Sequence, residues 1–566
     1  MTPAKLMQYA TALARAALVW MAPAWAGSAR AAASKAASAR GPAGAAFASA
    51  VRPGAALTGD ILTRAALAAA VFALCAGLAC AVQAKTLRIA HQDDPASLNS
   101  MPENEAFALG AYGWVYETLA AYDKDLKLTP MLAQSWENPE PTKWIFHLRK
   151  GVLFHDGSPF TADDVIFSWR RSLGEKPSAG RGLKAADIAK LDDYAIEVTT
   201  PAADPILPRE WALLHIMNEH GSGTGPFMAT DRRPGIQTRF ERFERYWDEH
   251  MPTNVTDIVF QTMPQAPSRL AALLAAEADV SAPMPMEDWR ALQEDPDAQL
   301  LAIPAAQVVF IGMDQHRDEL PDSSVKGKNP FKDKRVRQAL SLAIDTEAIN
   351  QDIMRGAARP TGTLIFDKVN GYDPSFGAPY PSNPDKARKL LADADYAGGF
   401  SVNLDCPRGR YPQDEEICAA IARMLADVGV EVRLAAPGAS GGAAPLPAAN
   451  HSSMYLMGWT PRSMDAAGAL DSLASCRDSH ASGGPGGQYN LGGYCNREID
   501  ALAAKISVET DHIKRNAMIK EAYGILRNDY AYLPLHQPPM SWGVRKGVRL
   551  EQRADGVLDI RGAVMP

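Results

Sequence analysis

A chain of 566 residues is too long for one hydrophobic core, and 47% hydrophobic with 22% charged residues is ordinary globular composition. A net charge of −7 spread over that length leaves no electrostatic footprint for nucleic acid or an anionic membrane. Six cysteines are too few for a disulfide-dense scaffold.

Residues 1–60 are rich in Ala, Ser, Gly and Pro, with scattered Arg and almost no acid. Such a segment cannot bury enough apolar surface to offset its ordering entropy, so it reads as disordered or as an extension upstream of the true translation start. Arg64, the apolar run Ala65–Val82 and Val82-Gln83-Ala84 before Lys85 follow the order of a secretory signal peptide, placed at 61–84 and cut after Ala84. The rival readings are weaker. The alanine-rich run is poorly hydrophobic for a membrane anchor, and Gly77 stands where a lipoprotein signal ending at Cys80 needs Leu.

From residue 85 onward strands and helices interleave. Thr86–Ala90 puts Leu87 and Ile89 on one face, and Trp144, Phe146 and Leu148 alternate with Ile145, His147 and Arg149. His155-Asp156-Gly157-Ser158-Pro159 is a turn, after which Thr161 and Asp164 form a capping box for a helix through Val165, Phe167 and Trp169. Strands are expected at Val255–Phe260 and Val308–Met313, the latter apolar enough to be buried on both faces. Helical stripes run through Val336, Ala339, Leu340, Ala343 and Ile344. Others run through Ile417, Ala420, Ile421, Met424, Leu425 and Val428, and through Ile499, Leu502, Ala503 and Ile506. Residues 435–450 and 481–487 read as Gly-rich loops. The class is α/β.

Little in the chain advertises chemistry. It has no HExxH and no Walker A sequence, and its histidines are dispersed. Gly438-Ala439-Ser440-Gly441-Gly442 matches the nucleophile-elbow pattern, but in a low-complexity stretch rather than between a strand and a helix. No Cys/His group has zinc spacing, so no metal, cofactor or catalytic residue is expected. The mature cysteines are Cys406, Cys418, Cys476 and Cys495. Four buried thiols would satisfy the sequence, but an even count behind an export signal favours two local disulfides, Cys406–Cys418 and Cys476–Cys495.

Four segments, in order, carry a resemblance: WIFHLRKGVLFHDGSPFTADDVIFSWRR at 144–171, GTGPF at 223–227, NPFKDKRVRQALSLAID at 329–345 and YLPLH at 532–536. Together the chain resembles the bacterial extracellular solute-binding proteins of family 5, the peptide- and nickel-binding proteins of ABC importers. The resemblance implies the two-lobed periplasmic-binding-protein fold, class II, with an extra subdomain in the first lobe and a ligand cleft between lobes. It places lobe I at 85–115, 223–308 and 537–566, the subdomain at 116–222 and lobe II at 309–536. It also implies two crossings between lobes, near Val308–Met313 and Leu533–His536. By the same resemblance the protein is periplasmic and captures a small peptide or peptide-like solute by hinge closure. It delivers that solute to a permease driven by a separate ATPase, as a monomer and not as an enzyme.

For the site, the resemblance points to a W-x-x-D pattern whose aspartate meets a ligand ammonium. Trp459 fits, but Arg462 stands in the aspartate position, with Asp465 three residues on. An arginine that meets the ligand carboxylate maps to Arg408, whose planar fork suits that role. The rivals are an exported hydrolase of peptides or esters and a membrane-anchored solute sensor.

Overall fold

A computed structural model describes residues 84–94, 106–174, 187–435, 453–478 and 486–566. The expected signal peptide, the 438–442 pattern and nearly all of the 435–450 loop lie outside these residues.

Among the described residues, the strands form three main sheets. Seven strands run in the order Ala298–Pro304, Pro539–Arg545, Val280–Ala282, Thr86–His91, Asp257–Thr262, Gln237–Arg242 and Phe227–Arg233. Thr86–His91 is parallel to both neighbours, and Leu87 and Ile89 are fully buried, as their alternation requires. Residues Ala133–Glu140, Lys143–Leu148, Ala195–Thr199 and Asp187–Asp192 form a separate four-stranded antiparallel sheet. Six strands make the third sheet, in the order Arg359–Pro360, Leu533–Gln537, Val308–Met313, Met454–Trp459, Phe400–Asp405 and Val430–Ala435. Val308–Met313 lies inside that sheet with every residue buried, which explains its unbroken apolar run.

Short polar devices fix the ends of the helices. Thr161 N–H donates to Asp164 Oδ2 at 2.8 Å ahead of the Ala162–Gly174 helix, as the capping box predicts. Asp333 accepts from Arg335 N–H at 2.8 Å and starts the Lys334–Ala343 helix. The expected stripes at 417–428 and 499–506 lie on the helices Asp414–Ala426 and Arg497–Ile506. The strand expected at Val255–Phe260 is Asp257–Thr262 instead, because its pairing with Thr86–His91 begins at Asp257.

The sequence segments dock on one another. A Cβ at Gly223 or Gly225 would lie 2.0 Å from Val115 O or 2.3 Å from Trp114 O, so only glycine lets GTGPF pack there. His155 N–H donates to Gly223 O at 2.9 Å, joining the turn of the 144–171 segment to it. Between them the buried Glu117 carboxylate accepts from Tyr246 Oη at 2.6 Å, and from Trp247 Nε1 and Thr224 Oγ1 at 2.9 Å. Burial raises its pKa.

Candidate ligand-binding site

The chain passes between the seven-stranded and six-stranded sheets twice, from Pro304 to Val308 and from Gln537 to Pro539. The crossings are tied together: Ala305 N–H donates to Pro538 O at 2.8 Å, and Gln537 Nε2 to Ala305 O at 3.0 Å. Two adjacent, mutually bonded strands form a narrow connection about which two bodies can rotate.

On the six-stranded side, Phe400–Asp405 and Met454–Trp459 are parallel neighbours, with Asp405 opposite Tyr455. Both strands run toward the crossings, and Met454–Trp459 reaches them, Trp459 pairing with Val308. In an open α/β sheet that is the edge where ligands bind. The loop after Asp405 is held stiffly. The buried Asp414 carboxylate accepts from the N–H groups of Gly409, Arg410 and Tyr411 at 2.9–3.1 Å. Tyr411 Oη accepts from Gly458 N–H at 2.7 Å, and Cys406 is bonded to Cys418 on the following helix. Cys476 and Cys495 form the second pair, so both expected pairings stand at bonding distance.

The sequence-predicted residues divide. Trp459 ends its strand half-buried, its ring 5.1 Å from that of Tyr489. Its Nε1–H is shut off from solvent and has no hydrogen-bond partner, a donor left over at the strand's ligand-facing end. Arg408 is exposed and 3.5 Å from Glu415, and Arg462 is exposed on the turn after Trp459. Asp465 is different. It is fully buried, takes both nitrogens of Arg515 at 2.7 and 2.9 Å, and accepts from Asn370 Nδ2 at 2.6 Å and Ala467 N–H at 3.0 Å. Both its oxygens are spent inside the lobe, which leaves neither for a ligand amine.

Residues that the sequence did not single out join the two sides of the cleft. Gln413, held at φ 58°, donates from Nε2 to Glu287 Oε1 at 2.5 Å, and Arg355 donates to Met286 O at 3.1 Å. At the other end Tyr122 Oη donates to Ser463 O at 2.8 Å, and Lys368 lies 3.2 Å from Asp125. None of these has a periodic or motif signal. Each side chain reaches another part of the chain more than 60 residues away. His536, on the second crossing strand, is buried with neither ring nitrogen hydrogen-bonded, and burial pushes its pKa down to about 4. Among the described residues no group of three His, Cys, Asp or Glu could hold a metal ion, and no helix is long and apolar enough to cross a membrane.

Residues 127–481 match the model of bacterial extracellular solute-binding proteins, family 5. The chain belongs to that family. It is 25% identical over 479 residues to a glutathione-binding protein of Salmonella choleraesuis, covering 80% of this chain and 89% of that one. It is 26% identical over 522 residues to the dipeptide-binding protein of Escherichia coli, covering 83% and 93%. The structure of HbpA2 from Haemophilus parasuis superposes with a TM-score of 0.71 at 23% identity, covering 85% of this chain and 100% of that one. The protein therefore has the two-lobed fold of family 5, one lobe on the seven-stranded sheet and one on the six-stranded sheet, and is a solute-binding protein.

Proposed function

We propose that this family 5 protein is the periplasmic capture component of an ABC importer, taking up a small peptide or peptide-like solute by closure of its lobes. The closed form is handed to a membrane permease driven by a separate ATPase, and the binding protein acts as a monomer without chemistry of its own. The lobes divide as 85–115, 223–308 and 537–566 for the first, 116–222 for its subdomain and 309–536 for the second, and residues 61–84 direct export. The observation that carries this reading is the pair of bonded crossings, with contacts between the lobes at both ends of the cleft. Glutathione- and dipeptide-binding relatives favour a peptide-like ligand over a sugar or a metal chelate. The test is native mass spectrometry of protein from its own periplasm, followed by scattering and thermal melts with the released solute. An intact solute of peptide size should appear. At a hundredfold excess over Kd it should stabilise the fold by about 2.7 kcal/mol, with a smaller radius of gyration. Cleavage of a peptide mixture, or stabilisation without compaction, refutes the proposal.

A further inference from the structure

The strand Met454–Trp459 outruns its neighbour. Phe400–Asp405 pairs with it only at Leu404–Met454 and Asp405–Tyr455, so its last residues have no described strand on that side. At Gly458 a side chain takes the strand's place: the N–H donates to Tyr411 Oη at 2.7 Å. A Cβ there would lie 2.7 Å from Tyr411 Cε1, so the ring comes this close only over glycine. Trp459, the next residue, rests on a different loop, its ring 5.1 Å from that of Tyr489. Each of these tyrosines lies within a loop closed by a disulfide, Tyr411 by Cys406–Cys418 and Tyr489 by Cys476–Cys495. The support of Tyr489 runs to its own bridge. The buried Asn490 side chain donates to Ser475 O at 3.0 Å and Tyr494 O at 2.6 Å, and these residues adjoin Cys476 and Cys495. The two bridges differ in access. Cys406 and Cys418 are 6% and 0% exposed, and Asp414 holds their loop by three further bonds. Cys476 is buried, but Cys495 is exposed.

We propose that Cys476–Cys495 is a thiol-sensitive catch on the cleft: closed, it holds Tyr489 against Trp459, and opened by a dithiol it releases that ring, so solute affinity falls while the lobe stays folded. The inference rests on the capture reading above and adds a regulation of its site. Thiol–disulfide exchange needs a thiolate to reach a sulfur, and only this bridge offers an exposed cysteine. The dithiol supplies two electrons and two protons, closing to its own cyclic disulfide, and leaves Cys476 and Cys495 as separate thiols. Tyr489 is then a positioning residue that acts through Trp459. Gly458, held by Tyr411 behind the buried bridge, keeps its place.

The test has two arms. Native protein is treated with dithiothreitol, alkylated and mapped by peptide mass spectrometry. Label should enter Cys476 and Cys495 while Cys406 and Cys418 stay bonded. Label that enters Cys406 and Cys418 first, or all four cysteines together, overturns the inference. In the second arm calorimetry measures Ala-Ala and S-methylglutathione, which has no thiol to exchange with the bridge, on wild type, Cys476→Ser/Cys495→Ser, Tyr489→Leu and Tyr489→Phe. The serine pair and Tyr489→Leu should each lose about tenfold in affinity, equal to about 1.4 kcal/mol and the size of one aromatic pair, while Tyr489→Phe, which keeps the ring, should recover most of it. The near-ultraviolet circular dichroism of Trp459, identified by its loss in Trp459→Phe, should weaken in the serine pair and in Tyr489→Leu, with the far-ultraviolet spectrum unchanged. Unchanged affinity in the serine pair or in Tyr489→Leu overturns the inference and leaves the capture function standing. So does a loss of affinity that comes with a loss of far-ultraviolet signal, since it assigns the bridge to the fold. If neither probe binds, the solute released from the native protein takes their place in the same comparison. No released solute and no bound probe overturns both readings.

Discussion

Replacing Asp465 by alanine should unfold the second lobe rather than merely weaken a ligand. Arg515 is 4% exposed at its side chain and Asp465 0%, so removing the carboxylate strands a guanidinium in the interior. Breaking a buried ion pair from one side costs about 3–5 kcal/mol. Asn370 Nδ2 and Ala467 N–H lose their acceptor in the same step. With a urea dependence of roughly 3 kcal/mol/M for unfolding of the one lobe, the midpoint should fall by about 1–1.7 M. The double variant Asp465→Ala/Arg515→Met should recover much of the loss, because a buried pair replaced by apolar side chains is often nearly neutral. Urea titration followed by tryptophan fluorescence measures both. A single variant that keeps its midpoint but loses ligand would refute the reasoning. It would show that the carboxylate serves the cleft and not the lobe.

Two further outcomes follow from the same geometry. The disulfides close segments with sequence separations of 12 and 19, each worth about 3 kcal/mol in the chain-entropy picture, so reductant or Cys476→Ser/Cys495→Ser should lower the thermal midpoint in calorimetry. Because His536 has a folded pKa of about 4, below the unfolded value near 6.5, its neutral form is favoured in the fold. Its contribution is whole above about pH 6.5 and is lost at up to about 1.4 kcal/mol per pH unit as pH falls to about 4. His536→Phe, which also removes two unpartnered buried nitrogens, should flatten the stability profile over that window. An unchanged slope would reassign the acid sensitivity to other groups.

What could be read from the sequence was structure more than site. The segments that betray the family are packing devices. GTGPF needs its glycines against Trp114 and Val115, and the aspartates of 329–345 cap helices. In the same segment Arg337 is buried and donates to Phe331 O and Asp529 O. Such contacts depend on fixed backbone geometry and constrain residue type wherever the fold recurs. Periodicity likewise placed the helices and the buried central strand, because 3.6- and 2-residue repeats follow from burial alone. The cleft is otherwise. Tyr122, Glu287, Gln413 and Ser463 come from separate segments and meet only through tertiary folding, so no spacing announces them. Asp465 shows the reverse limit. Its position three residues after Arg462 fits a ligand acid, and only Arg515, fifty residues on, reveals where its charge is spent.

How firmly the cleft stays shut depends on apolar side chains of one lobe buried in the core of the other. Met286, whose carbonyl accepts from Arg355, is 3% exposed and packs into the core cluster of the six-stranded lobe. It lies between the strands Val280–Ala282 and Ala298–Pro304, so it belongs to the opposite sheet. Burying such a side chain contributes about 1.5–3 kcal/mol, whereas a hydrogen bond such as Gln413–Glu287 adds about 1 kcal/mol net. All of this is lost when the lobes part. Met286→Ala therefore removes one buried apolar contact between the lobes without touching Trp459. Apparent affinity scales with the fraction of molecules able to close, so a loss of about 2 kcal/mol should weaken binding up to about thirtyfold. Scattering should show a larger unliganded radius of gyration, with the liganded one unchanged at saturation. Gln413→Ala should do the same to a smaller degree. Equal affinity and equal dimensions in Met286→Ala would mean that the rim contacts follow closure and do not set it.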